Sequence, residues 1–182
     1  ITVAVLDSGI APHPDLTGKC MVFKDFVNGK NVAYDDNGHG THVCGILCGS
    51  GEASQGKYRG IAPTSRLVVC KVLDRQGDGC VEVMENALQW IEKNHKRYDI
   101  RVLNISVGMG RMREKEKYKK LNECLERLWD NGIIVICAAG NTGPKPGSIS
   151  NIGGLQKVIT VGCYDDLEKH YSNNNCDKYS GR

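Results

Sequence analysis

The chain has 182 residues, of which 22 are glycine, and this length allows one domain with a sizeable core, so we expect residues 1–182 to form a single domain. The formal net charge is only +3 and the basic residues are interspersed with acids, which argues against a nucleic-acid-binding surface. No apolar run approaches the length of a membrane span and the chain opens on a strand-like segment, so neither a transmembrane helix nor a signal peptide is visible.

Apolar, β-branched segments alternate with amphipathic segments along the chain. We predict helices over residues 39–48, 81–95 and 114–130, the last two with apolar side chains on one face. Five further runs lack strict alternation, which is typical of strands covered on both faces, and predict strands over residues 1–6, 66–73, 102–106, 133–138 and 158–162. This order predicts an α/β fold in which right-handed βαβ units build a parallel sheet.

The cysteines and one mixed-charge run are interpreted from their surroundings. The nine cysteines are an odd number and several lie in apolar runs, where they are typical of small core residues. This favours a reducing compartment, and therefore a cytoplasmic location. The charged run at residues 111–120 has mixed signs at helical spacing, so we interpret it as a solvated helix face rather than a basic patch.

Two short segments place an acid and a histidine where active sites of open α/β sheets lie. Asp7 ends the first predicted strand and His39 begins the first predicted helix. An aspartate that orients a histidine serves to activate a nucleophile, usually a serine or a cysteine. No convincing nucleophile is present further along the chain, because no serine lies in a strained glycine-bounded turn or at the head of a small-residue helix, including Ser8, Ser106, Ser148 and Ser180. This chain alone therefore looks chemically incomplete.

Four segments occur in the order and approximate spacing of the subtilisin-like serine proteases. They are DSG at residues 7–9, HGTHV at 39–43, NISVG at 104–108 and AAGNTG at 138–143. The chain resembles this family over its whole length, and it is most similar to the bacterial intracellular branch in residues 49–63 and 98–104. The resemblance implies a three-layer α/β/α subtilisin-like fold and serine endopeptidase activity in the cytoplasm.

The resemblance also implies roles for three catalytic residues. His39 is expected to act as general base and then general acid, while Asp7 holds one tautomer of its imidazole and stabilises the imidazolium. Asn141 resembles the side-chain donor of the oxyanion hole, which stabilises the negative charge of a tetrahedral intermediate.

Two glycine-containing edges are expected to bind an extended peptide or protein substrate by β-augmentation. By resemblance, the substrate-binding residues are Gly77, Asp78, Gly79, Ser106, Val107, Gly108 and Gly140. Asp78 is an unusual charged choice at such a rim. We hypothesise a modest preference for a basic substrate side chain near it, with a solvated loop acid as the equally open alternative.

Several groups could be mistaken for metal ligands, but we predict neither a metal nor another cofactor. His42 shares a helix face with His39 and has Cys44 and Cys48 nearby, yet no CxxC or HExxH segment is present, and the resemblance implies that His42 packs behind the site. Asp35 and Asp36 are better explained by the charge that favours a helix N-terminus. Calcium is common in the family and Asp15 matches a position used there, but a full ligand set is not apparent, so calcium is possible and not predicted.

The chain departs from the family in lacking the GTSMA-type segment that carries the serine, and in lacking an amino-terminal arm. We therefore expect a fold that is incomplete at the C-terminus, as in a fragment or one piece of a cleaved enzyme, and inactive by itself. Apolar surface should then be covered by the remaining C-terminal part of the enzyme or by a dimer mate. The alternative is a non-catalytic, peptide-binding pseudo-protease or regulatory fragment.

Overall fold

The structure, a computed structural model, describes residues 1–108, 115–163 and 180–181. Six strands form one sheet in which every pairing is parallel, in the order β2-β3-β1-β4-β5-β6. The strands are β1 (Thr2–Asp7), β2 (Cys20–Asp25), β3 (Arg66–Lys71), β4 (Ile100–Ile105), β5 (Ile134–Ala138) and β6 (Ile159–Val161). The longer helices of the described residues are α1 (His39–Cys48), α2 (Val81–Tyr98) and α3 (Lys115–Asp130). The α/β fold with a parallel sheet is therefore confirmed.

The two faces of the sheet bury separate clusters, because successive side chains of a strand point to opposite faces. Ala4 and Leu6 of β1 pack with the apolar face of α2 and α3 in the larger cluster, which includes Leu88 and Leu125. Val3 and Val5 face the other side, with Cys44 and Cys48 of α1. Helices thus lie on both sides of the sheet, and α1 is the helix on the smaller cluster's side.

The topology places β1 at the point where the strand order reverses. β1 pairs with β3 on one side and with β4 on the other, so β2 and β3 lie on one side of β1 and β4, β5 and β6 lie on the other. Ligands of open α/β sheets bind outside the carboxyl ends of the strands at such a switch point. Asp7 is the last residue of β1, and it therefore lies at this position.

β2 and several element ends differ from the sequence prediction. The strand Cys20–Asp25 was missed, since it is an edge strand whose burial pattern mixes partly buried, exposed and buried residues. β3 ends at Lys71 rather than residue 73, and α2 continues to Tyr98 because basic residues and a left-handed Asp99 (φ 50°) end it there. Short 3-10 turns also lie outside the predicted helices and strands, at Glu52–Ser54 and Ile152–Gly154.

Seven of the described cysteines are free thiols, and five of these are buried, as expected for small core residues. Cys163 is disulfide-bonded, so not all of the cysteines are the free thiols that a reducing compartment favours. Within the described residues, no helix is both long and apolar enough to cross a membrane. Residues 111–114 of the mixed-charge run, and Cys176, lie outside the described part.

Candidate active site

The structure brings together the acid and the histidine that the sequence singled out. The Nδ1 atom of His39 lies 2.7 Å from Oδ1 of Asp7. A carboxylate only accepts hydrogen bonds, so Nδ1 carries the proton and the imidazole is held in one tautomer. Asp7 is fully buried, whereas the side chain of His39 is 48% exposed. Nε2 of His39 has no hydrogen-bond partner among the described residues, and the exposed ring therefore presents its basic nitrogen outward.

Asp35 connects the end of β1 to the start of α1. Its carboxylate accepts hydrogen bonds from the Ser8 hydroxyl, from the backbone N–H groups of Asn37 and Gly38, and from both the N–H and the hydroxyl of Thr41. Partial burial opposes ionisation of Asp35, but these hydrogen bonds outweigh it and lower its pKa from the usual 3.8 to about 2. The charge placed at the helix N-terminus on sequence grounds is therefore Asp35, which also fixes the loop before His39.

Glycine permits the close approach between these two segments. A Cβ on Gly40 would lie 2.3 Å from the carbonyl oxygen of Gly9 and 3.1 Å from Oδ1 of Asp7. Gly9 itself has a φ of +126°, and a Cβ there would lie 2.1 Å from the carbonyl oxygen of Tyr34. A larger residue at position 40 would force α1 away from the end of β1, and one at position 9 would force away the segment of Tyr34 and Asp35 that leads into α1. Both glycines therefore keep Asp7 within reach of His39.

The two expected substrate-binding edges face each other across a cavity of about 350 Å³. Five of the seven residues named for substrate binding line it, namely Gly77, Asp78, Gly79, Val107 and Gly108. Apolar side chains form part of the lining, namely those of Leu73, Val81, Met84, Val107 and Tyr118. Two acids, Asp78 and Glu82, also line the cavity. Ser106 and Gly140 are not among the lining residues.

Gly140 and Asn141 follow β5, which is the neighbour of β4 in the sheet. A Cβ on Gly108 would lie 3.9 Å from Cα of Gly140, so the segments after β4 and β5 are in contact. The N–H of Gly181 donates to the carbonyl oxygen of Gly140 (2.9 Å) and holds this turn from the other side. The Asn141 side chain is exposed and makes no hydrogen bond within the described residues, so its amide is available to a bound group.

The expected position of His42 was wrong. His42 is exposed rather than packed behind the site, because α1 buries Gly40, Cys44 and Cys48 and residue 42 lies on the opposite face. His42 instead lines a larger cavity of about 850 Å³ beyond α1. The helix therefore separates His42 from Cys44 and Cys48, and these groups do not converge on one point.

Asp15 is used as a hydrogen-bond acceptor in this structure. Its Oδ1 accepts from the backbone N–H of Ala53 at 2.8 Å. Among the residues that the structure describes, no group of three His, Cys, Asp or Glu side chains is placed to hold a metal ion.

Lys71 is the residue of the site that the sequence interpretation missed. It is fully buried at the end of β3, and its ammonium donates to the carbonyl oxygens of Ser8 and Leu73 and to Oδ1 of Asp36. A signal was present, since a lysine inside a strand predicted to be covered on both faces requires buried partners. Asp36 is thus an ion-pair partner of Lys71 rather than a charge at the helix N-terminus.

Comparison with known proteins gives a consistent result. A family model described as the subtilase family matches residues 1–182. The serine protease AprX of Bacillus subtilis strain 168 is 44% identical over 170 residues, which cover 91% of this chain and 38% of AprX. Subtilisin Savinase of Lederbergia lenta is 33% identical over 165 residues, which cover 91% of this chain and 56% of Savinase. The chain therefore spans less than two thirds of the length of either relative.

Solved structures show the same likeness. Sphericase superposes with a TM-score of 0.84 at 27% sequence identity, and the S41 psychrophilic protease with a TM-score of 0.82 at 30% identity. Both superpositions cover 100% of this chain and 58% of the other chain. They confirm the subtilisin-like fold that the sequence motifs predicted.

Proposed function

Since the chain belongs to the subtilase family, we propose that it supplies the acid, the base, the oxyanion donor and two edges of the substrate cleft of a serine endopeptidase. The four sequence segments and the relatives named serine protease and subtilisin support this assignment. We further propose that residues 1–182 belong to a single catalytic domain.

The proposed mechanism gives each residue one task. His39 removes the proton of a serine hydroxyl through Nε2 as the hydroxyl attacks the peptide carbonyl, and later returns a proton to the leaving amine. Asp7 keeps the Nδ1–H tautomer and stabilises the imidazolium that forms. The Asn141 amide donates to the developing oxyanion. The substrate lies extended between the edges that contain Gly77–Gly79 and Val107–Gly108, which line the cavity.

The observation that carries the proposal is the 2.7 Å contact between a fully buried carboxylate and a half-exposed imidazole at the sheet's switch point. Two of the serine hydroxyls near this point have other partners, because Ser8 Oγ donates to Asp35 and Ser106 Oγ accepts from Asn104. We therefore propose that the nucleophile is supplied by a part of the full-length protein outside these 182 residues.

The experiment measures peptide hydrolysis by the full-length protein and by two histidine variants. We expect His39→Ala to lower kcat by at least about a thousandfold, because the base is lost. His42→Ala, on the same helix but on its exposed side, is the matched control and should keep kcat within about threefold. Equal activity of His39→Ala and wild type would overturn the proposal.

The peptide-binding alternative makes a different prediction in the same experiment. A pseudo-protease would bind an extended peptide in the cleft, yet the full-length protein would show no turnover and no labelling by a serine-directed fluorophosphonate. Labelling of the wild type that is lost in His39→Ala supports the peptidase.

The cytoplasmic location stays a proposal that rests on the cysteine content. The buried free thiols support it, whereas the disulfide at Cys163 argues against it.

A further inference from the structure

Lys71 occupies a site where a lysine is costly unless all of its donors are paired. Its side chain is fully buried, and burying an ammonium without hydrogen-bond partners is strongly unfavourable. The three N–H donors have three acceptors: the carbonyl oxygen of Ser8 at 2.6 Å, Oδ1 of Asp36 at 2.6 Å and the carbonyl oxygen of Leu73 at 2.7 Å. The ring of Tyr34 adds a cation–π contact, with its centroid 5.0 Å from Nζ.

The three acceptors come from three different segments of the candidate active site. Ser8 directly follows Asp7, and Asp36 lies three residues before His39. Leu73 begins the loop that reaches the Gly77–Gly79 edge and itself lines the substrate cavity. One ammonium group is therefore hydrogen-bonded to three segments, which carry the acid Asp7, the base His39 and the substrate-binding edge.

We propose that Lys71 is a positioning residue that sets the alignment of Asp7, His39 and the substrate edge through these three hydrogen bonds. The catalytic part of this inference rests on the proposed peptidase function. A shift of about 1 Å in reacting groups can cost roughly a hundredfold in rate, so a small loss of alignment is measurable. A purely structural role makes a different prediction, namely that any equally destabilising substitution has the same effect on activity.

Two variants and one control separate these roles in the full-length protein. Lys71→Met keeps much of the side-chain volume and removes all three donors. Asp36→Ala releases only the segment before His39, and because the Asp36 side chain is 37% exposed, this variant should fold if Lys71→Met does not. Leu125→Ala is the matched control, since Leu125 is fully buried in α3, in the core on the opposite side of the sheet from α1.

The first measurement is the proton resonance of Nδ1–H of His39, which is strongly deshielded when it donates to a carboxylate at short distance. The second is kcat and KM for a peptide substrate, at a temperature where all variants are folded. We expect Lys71→Met to lose or broaden the resonance and to lower kcat at least about tenfold, with a smaller change of the same kind in Asp36→Ala. Leu125→Ala should keep the resonance and should keep kcat within about twofold.

The inference is overturned if Lys71→Met keeps both the resonance and kcat, or if Leu125→Ala loses them to the same extent. If Lys71→Met does not fold, an unchanged resonance and kcat in Asp36→Ala overturns it. Absence of turnover in the wild type would instead reject the proposed function, and the resonance would still decide whether Lys71 aligns the acid and the base.

Discussion

At the residue scale, the site depends on carboxylates with different surroundings. Asp7 is fully buried and contacts His39, while Asp35 is partly buried and accepts five hydrogen bonds from the loop and the helix N-terminus. Because an ionised carboxylate accepts these bonds best, the folded state holds Asp35 in its charged form, with a pKa of about 2. The stability of this region should therefore depend on pH through Asp35.

We predict that Asp35 stabilises the fold fully above about pH 4 and that this contribution is lost as the pH falls toward 2. The unfolded chain, in which the pKa of Asp35 is near 3.8, binds its proton first on acidification, so acid favours unfolding in this range. Asp35→Asn should lower the free energy of unfolding by roughly 1–3 kcal/mol at pH 7. The difference from wild type should shrink below pH 4, measured by urea unfolding between pH 2 and pH 7.

Asp130→Asn is the control for this prediction. Asp130 forms an ion pair with Lys157 in which both side chains are largely exposed, and such solvent-screened pairs contribute little to stability. A difference between Asp35→Asn and wild type that stays constant from pH 7 to pH 2 would show that Asp35 does not act through its charge.

Asp78 carries the prediction on substrate preference. The cavity between the two edges has apolar side chains on part of its wall, and Asp78 is exposed at its rim. A lysine or arginine side chain could place its methylene groups on the apolar wall and its charge near this carboxylate. In cleavage profiling of the full-length protein, we expect Asp78→Ser to lower the relative kcat/KM for basic over apolar side chains by about two- to fivefold, as for an exposed pair. If wild type and Asp78→Ser gave identical cleavage profiles, at low and at high salt alike, the proposed preference for basic side chains would be rejected.

At the element scale, the strands and helices that are determined by the local pattern of apolar residues could be predicted from the sequence. Strands with continuous apolar residues and helices with one apolar face were found, and the DSG and HGTHV segments indicated which ends carry the acid and the base. β2 was missed because its pairing with β3 is set by tertiary structure at a sheet edge, where burial is incomplete. Lys71 was overlooked for a related reason, since two of its three hydrogen-bond partners lie 63 and 35 residues away in the chain.

The contact between β1 and α1 gives a prediction with a control on the same helix. A Cβ on Gly40 would clash with Gly9 and press on Asp7, whereas a Cβ on Gly45 would meet nothing within 4 Å. Gly40→Ala should therefore separate α1 from β1 and destabilise the protein by roughly 1–3 kcal/mol through overpacking. Gly45→Ala should stabilise it by about 0.5–1 kcal/mol, because alanine is the better helix former.

The measurement is the thermal unfolding midpoint together with kcat of the full-length protein for both glycine variants. We expect only Gly40→Ala to lose activity at temperatures where it remains folded. A Gly40→Ala protein with wild-type kcat would show that the close approach of Gly40 to Gly9 is unnecessary for the alignment of Asp7 and His39.

At the scale of the whole molecule, one part of the sheet lacks a helical cover in the described structure. Register places Val102, Ile134, Ile136, Ile159 and Val161 on the same face as α1, but α1 packs over β1 and β3. Ile134, Ile159 and Val161 are 45%, 47% and 54% exposed. An apolar face of this kind marks an interaction surface. Since the chain corresponds to 38% of AprX, we propose that further polypeptide of the same protein covers this face.

This proposal predicts opposite effects in the 182-residue chain and in the full-length protein. The double variant Ile159→Thr and Val161→Thr should bind less hydrophobic dye than wild type in the 182-residue chain, which we expect to show no peptidase turnover. In the full-length protein it should lower the free energy of unfolding by roughly 3 kcal/mol, because two buried apolar side chains are shortened or made polar. Val32→Thr, at a residue 78% exposed and outside this face, should change neither measurement.

Sedimentation of the 182-residue chain distinguishes the two possible covers of this face. If a dimer mate covers it, the wild-type chain is dimeric, the double variant is monomeric, and the stability of the full-length protein depends on protein concentration. If further polypeptide of the same protein covers it, the stability of the full-length protein does not depend on protein concentration. The double variant is then less stable than wild type at every concentration. A double variant as stable as wild type in the full-length protein would mean that Ile159 and Val161 remain in solvent, and our account of this face would be wrong.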